Sequence, residues 1–252
     1  MNYISQVINT LAVNKINISM IHVEEIHRPV ADKIIRANHY SGTVCFATQV
    51  SLGIYLDEML VGIAQFGYGI NPKGSCKWVE GSTTKDFLEF NRMWMADSAP
   101  KNSESEAIGR IFKWFKINRP DIKWLMSFAD GASGKVGTIY QASNWIYTGY
   151  SRHGGVWVTP EGTRMTQVSM INKHKTTKRD ALEDIYGTPL YRVRGGQFRY
   201  IYFLDKSWKK RLTVEPEEYP KLDTLKKHLI IFKEHLVKED LFDEYMKIIN
   251  NL

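Results

Sequence analysis

Cysteine is nearly missing from this chain. Cys45 and Cys76 are the only two in 252 residues and they form no CxxC pair. That excludes a cysteine-ligated zinc site and points to a reducing compartment. Long apolar runs are missing too. Nothing approaches the roughly eighteen uninterrupted residues of a membrane helix, so no span is expected. No basic region followed by an apolar stretch opens the chain, so no signal peptide is expected and the protein reads as cytosolic. Nucleotide motifs are also absent. In FADGASGKVGTIYQASNWIYTG (128–149), Gly131 and Gly134 are too close for a Walker loop, and Val136 stands where Ser or Thr should follow Lys135. The GxGxxG fingerprint fails as well, which argues against ATP and NAD.

What is present is a large aromatic share and an uneven charge. Tyr, Phe and Trp make up 12% of the chain, enough to fill a core and leave rings for stacking on a ligand. Hydrophobic content of 43% and charged content of 24% are those of a folded chain, and the length suits one large domain or a domain with an extension. The net charge is +7. Between Arg164 and Arg211 stand twelve Lys/Arg against four acids, which accounts for all of it. A concentrated basic segment points to a polyanion, nucleic acid first, with a merely solvated surface as the alternative. Lys173, Lys175, Lys178, Arg179, Arg192, Arg194, Lys209 and Lys210 are the candidate phosphate contacts.

Hydrophobic periodicity predicts an α/β fold. A strand over 16–23 precedes a helix over 24–38, with Pro29 tolerated in its first turns. A hairpin follows over 50–69, turning at Asp57-Glu58. FLEFNRMWM (87–95) reads as a strand, and a helix runs from Asn102 to about Asn118, where Arg119-Pro120 stops it. Strands over 123–130, 146–152 and 156–159 bracket a short helix over 136–145. Strand and helix order predicts a mixed central sheet flanked by helices, the order of the GNAT acyltransferases. The core is expected over 1–159. A basic, partly helical α+β extension is expected over 160–252, with a helix ending at Gly187, a hairpin turning at Gly195-Gly196, and an amphipathic helix over the last thirty or so residues.

Three stretches hold residues suited to chemistry. Asp130 ends a predicted parallel strand, where open α/β sheets place their sites. The helix behind it presents Thr138, Tyr140, Gln141 and Asn144, much polar content beside a sheet. The plain alternative is a strand-to-helix turn. His39 and Tyr40 follow the first helix, and a histidine serves as base or metal ligand. Asn91 and Arg92 interrupt an apolar strand, and a charge there needs a partner or a ligand. Asn102, Ser103 and Ser105 open a helix, whose N-terminus attracts phosphate or carboxylate; simple capping is the alternative. The Q/R-x-x-G-x-G/A loop by which GNAT enzymes hold a cofactor pyrophosphate is not found here, which argues against ordinary acetyl-CoA binding.

In order and spacing, HYSG, Leu60-Val61-Gly62, Gly67-Tyr68-Gly69, LEFNRMWMADSAPKNSES and SFADGASGKVGTIYQASNWIYTG resemble the Mom family of bacteriophage DNA-modification proteins. The resemblance covers roughly 35–155. It implies a divergent GNAT fold and conversion of adenine in double-stranded DNA to N6-carbamoylmethyladenine, which shields phage DNA from restriction in the host cytoplasm. Matched by motif, it implies site residues His39, Tyr40, Arg92, Ser103, Asp130 and Tyr140, with Ser105 and Thr138 beside them. It also implies an iron requirement, for which His39, Tyr40 and Asp130 would be the ligands, and a donor that the sequence does not name. An acyltransferase acting on a small-molecule or protein amine, and a non-enzymatic DNA-binding protein, are the competing expectations.

Overall fold

Alternating side chains make FLEFNRMWM a strand from first residue to last, and it lies at the middle of the main sheet. A computed structural model describes residues 20–152, 155–194, 196–233, 236–237 and 239–250. Strand β1 (Ile21–Glu25) leads to helix α1 (Arg28–Asn38), which starts later than expected. Positions 16–19 of the expected first strand lie outside the described residues. The hairpin is β2 (Thr48–Leu56) and β3 (Met59–Gly67), and Asp57 adopts the left-handed φ of 53° that its tight turn needs. Next come β4 (Phe87–Met95) and α2 (Ser103–Asn118). Helix α2 carries Glu104 and Glu106 in its first turn and Lys116 in its last, as the helix dipole favours. Strand β5 (Trp124–Asp130), α3 (Thr138–Ala142) and β6 (Ile146–Arg152) complete the part that the sequence foretold.

The rest departs from expectation. Strands β7 (Val156–Val158) and β8 (Arg164–Thr166) precede α4 (Gln167–His174) and α5 (Arg179–Tyr186), two helices where one was expected, the second capped by Gly187 at φ 65°. Strands β9 (Tyr191–Arg194) and β10 (Gly196–Phe203) do not pair with each other as a hairpin. The expected C-terminal helix is α6 (Leu222–His228), β11 (Ile230–Lys233), β12 (Leu236–Val237) and α7 (Glu239–Asn250).

The main sheet runs β1-β2-β3-β4-β5-β10-β6, and the second β12-β11-β9-β7-β8. Only β4 and β5 are parallel; every other pairing is antiparallel. This is the mixed α/β sheet with flanking helices that the sequence predicts, plus a small antiparallel sheet. The stretch 160–252 is woven into the main sheet, because β10 lies between β5 and β6. A large core between sheet and helices holds Phe66, Phe90, Ile108, Ile111, Phe115 and Trp145, all buried. On the other face, Ala31 and Ile35 of α1 bury against Ile63, and Trp124, Met126 and Phe87 form a further cluster.

Candidate active site

The parallel ladder between β4 and β5 lasts only three pairs, Phe87 with Trp124 through Glu89 with Met126. Beyond Glu89 the strands part, β4 staying with β3 and β5 with β10. A gap in a ladder leaves backbone groups to be satisfied otherwise. Ser127 does this on one side: its hydroxyl donates to the Phe90 carbonyl at 2.9 Å and accepts from the Tyr140 hydroxyl at 2.7 Å. Burial pushes the Tyr140 hydroxyl well above its ordinary range, so it is a neutral donor.

On β5, alternation puts Asp130 on the face of Trp124, Met126 and Phe128, opposite Ser127. Asp130 accepts from the Ala132 amide at 3.0 Å and from the Ser133 hydroxyl, and so caps the turn of the FADGASG loop. The glycines of that loop have backbone reasons. Gly137 has φ 83°, and a Cβ there would lie 2.5 Å from the Tyr200 ring. The loop is a shaped strand-to-helix turn that ends in a carboxylate.

Facing Asp130 is the loop after α1. The His39 and Tyr40 rings lie 4.2 Å apart, and Tyr40 stays 58% exposed. Arg92 holds this loop on β4: its Nε donates to the Thr43 carbonyl at 3.0 Å and its Nη2 to the Thr43 hydroxyl at 3.3 Å. Arg164, from the second sheet, lies over the Tyr40 ring at 5.1 Å. Burial, then Arg92 and Arg164, drive His39 down to about 4. Burial and the Asp130 carboxylate push Tyr40 up, against the two arginines. His39, Tyr40, Arg92 and Asp130 are therefore brought together, with Tyr140 close enough that Tyr40, Glu89 and Arg92 all act on it.

Three members were not among the expected catalytic set. Glu89 is partly buried where the strands part, and its Oε1 accepts from Asn91 at 3.1 Å. Burial raises its carboxyl, against Asn91 and Arg92. A Cβ on Gly69 would overlap that carboxylate, so the loop after β3 lies directly on it. Asn91 Oδ1 is buried with no partner among the described residues. Arg164 belongs to the basic segment, where only spatial proximity shows its role.

The helix start serves mainly itself. Ser103 is buried with its hydroxyl on the Pro100 carbonyl at 2.6 Å, and Ser105 donates to the Asn102 carbonyl at 2.9 Å. Asn102 sits at φ 70° and makes no side-chain cap. Thr138 is exposed at the first position of α3. An anion at α2 would meet backbone amides rather than these hydroxyls.

His39, Tyr40 and Asp130 do not fit an iron ion. The Ser41 amide donates to His39 Nδ1 at 3.1 Å, which leaves the ring proton on Nε2. Tyr40 is held neutral, Asp130 is engaged as a cap, and Arg92 and Arg164 disfavour a cation. Among the described residues, no group of three or more His, Cys, Asp or Glu could hold a metal.

The basic segment divides between the two ends of β5. Arg192 and Arg194 lie on β9, beyond the Asp130 end, and Arg192 and Arg179 both lie over the Trp157 ring. Arg179 also pairs with Glu183, while Lys173 lies over Tyr186, Lys175 caps α4 and Lys178 precedes α5. Lys209 and Lys210 stand on the turn Lys206–Arg211, tied to the Lys123 end by Asp205, whose amide donates to the Lys123 carbonyl at 3.0 Å. No helix among the described residues is long and apolar enough to cross a membrane.

Among solved structures, the chain is similar to Arabidopsis thaliana NAA60 with a bisubstrate analogue (TM-score 0.44, 8% identity, 73% of this chain and 98% of that one). It is also similar to an N-acetyltransferase from Staphylococcus aureus Mu50 (TM-score 0.40, 11% identity, 74% and 99%). The methylcarbamoylase Mom of Escherichia phage Mu is 32% identical over 204 residues, 80% of this chain and 84% of that protein. The profile of the Mom protein family matches residues 20–221. The chain belongs to the Mom protein family.

Proposed function

We propose that this protein is a DNA-modifying transferase that places a carbamoylmethyl group on adenine N6. The observation that carries the reading is the gathering of His39, Tyr40, Arg92, Asp130 and Arg164 around the parting of β4 and β5. Two arginines beside two carboxylates, with neutral Tyr40 and His39 between them, suit a polar base and an electron-rich donor.

Adenine N6 is paired and delocalised inside a duplex, so the target nucleotide is drawn out first, at roughly a few kcal/mol. Tyr40, exposed and backed by Arg164, offers a stacking face worth about 1–3 kcal/mol. N6 then attacks the methylene carbon of the donor. The new N–C bond forms as the bond to the leaving group breaks, and the N6 proton passes to a carboxylate. His39 is neutral at pH 7 but is a weak base with its proton on Nε2, so it donates a hydrogen bond. Asp130 is the first choice as proton acceptor and Glu89 the second. Arg92 and Arg164 steady the charge that leaves with the donor fragment, and the amides opening α2 are a second place for it.

Asp130→Asn keeps an acceptor for the Ala132 amide but removes the charge. In cells making that variant, mass spectrometry of plasmid nucleosides should show loss of a modified deoxyadenosine that the wild type produces, while duplex binding persists. Wild-type levels of the new nucleoside would remove Asp130 from the chemistry. A new mass on another nucleoside would keep DNA modification and reject adenine.

A further inference from the structure

Phe46 and Ile70 are the two most exposed large hydrophobic side chains among the described residues, at 89% and 105%. The next, Ile117 at 77%, is near the end of α2. Phe46 and Ile70 belong to adjoining loops. The Tyr68 amide donates to the Ala47 carbonyl at 3.2 Å, and Cys45 Sγ lies 3.8 Å from the Tyr68 carbonyl. Both loops border the site. Thr43, three residues before Phe46, binds Arg92, and Gly69, just before Ile70, lies on the Glu89 carboxylate.

Neither side chain is carried on a loose backbone. Arg28 donates to the carbonyls of Cys45, Phe46 and Thr48, at 3.2, 2.8 and 3.3 Å. After Ile70, Asn71 caps the next turn by accepting from the Gly74 amide at 2.9 Å. The polar groups of these loops are satisfied while two apolar side chains stand in water. The charge around them is positive: residues 28–47 hold Arg28, Lys33 and Arg36 against Asp32, and residues 67–75 hold Lys73 and no acid. An apolar pair on a fixed, cationic rim suits a partner with a polyanionic outside and an apolar stack within, which is duplex DNA.

We infer that Phe46 and Ile70 enter the base stack of a bound duplex and fill the place of the nucleotide drawn into the site. The inference rests on the DNA-modification reading. Its signature is a dependence on pairing. A side chain that opens the stack matters when the target is paired and stacked, and little when the target is already loose.

The test uses the full-length wild type and the Phe46→Ala/Ile70→Ala double variant in clarified extract of the expressing cells, which contains whatever donor the cell supplies. The substrates are a duplex from a plasmid stretch that the wild type modifies, and the same duplex mismatched at the modified nucleotide. Modified nucleoside is measured by mass spectrometry and folding by thermal melting. The double variant should lose tenfold or more on the paired duplex and come within about threefold of wild type on the mismatched one. Equal activity on the paired duplex overturns the inference. So does an equal loss on both substrates, with or without a lowered melting temperature. A wild type that modifies neither substrate removes the DNA reading itself, and the inference with it.

Discussion

Two residues of the site respond to protons in opposite senses. Unfolded, His39 titrates near 6.5; folded, near 4. Between these values the unfolded chain takes up a proton that the folded chain refuses. The stability tied to His39 is thus complete above about pH 6.5 and is lost as the pH falls toward 4, by at most about 3 kcal/mol. Urea midpoints of the wild type should fall across that window more steeply than those of His39→Gln; parallel curves would contradict this. Glu89 is raised by burial from its ordinary 4.5. The folded state therefore favours its protonated form, and its contribution is lost as the pH rises above the carboxylate range. Glu89→Gln keeps the acceptor for Asn91 and removes the buried charge. It should melt higher than wild type at pH 7, lose that advantage near pH 4, and modify DNA less. A lower melting temperature at pH 7 would refute the sign. Glu89 was hard to read in the sequence because FLEF alternates normally, and a glutamate there looks like an outward strand residue. Asn91 and Arg92 were legible because two polar residues in succession break that alternation.

Elements with strong local signals were read nearly to the residue. Strand β4 falls on 87–95 and β6 on 146–152, and α2 ends before Pro120 as proline requires. The failures are failures of partner choice. Two β-rich runs around Gly195-Gly196 look like a hairpin, yet β9 joins one sheet and β10 the other. The short apolar run of β11 fits a helix as well as a strand when read alone. The site divides in the same way. His39, Tyr40, Arg92 and Asp130 came from local anomalies, whereas Arg164 meets Tyr40 only because the second sheet folds back. The FADGASGKVG loop is itself an element with a testable shape. Gly137→Ala combines a left-handed φ with overlap on Tyr200 and should cost about 2 kcal/mol or more in denaturant unfolding. A loss under 0.5 kcal/mol would mean that the turn adapts.

At the scale of the molecule, cations stand at both ends of β5. Asp130 lies six residues beyond Trp124, or roughly 20 Å along the strand. The turn carrying Lys209 and Lys210 packs by Trp208 on the cluster of Trp124 and Met126, the face that Asp130 shares. Arg192 and Arg194 lie past the other end. A duplex spanning both would release counterions to each group. In anisotropy titrations at several salt concentrations, Arg192→Ala/Arg194→Ala should reduce the slope of log affinity against log salt by about 2, Lys209→Ala/Lys210→Ala by about 2, and the four together by about 4. An unchanged slope in either pair would take that end out of the DNA footprint.

The seat of β10 between β5 and β6 has a consequence for the chain as it is made. Trp124 waits for Phe203, and Ile146 for Ile201. Until those residues leave the ribosome, two strands that will be interior each show a bare edge, in the segment that also carries the site. Bare edges recruit other strands. A nascent chain that pauses before residue 203 is thus most at risk of sticking to its neighbours, and synthesis through β10 is the step that both closes the sheet and makes the protein safe.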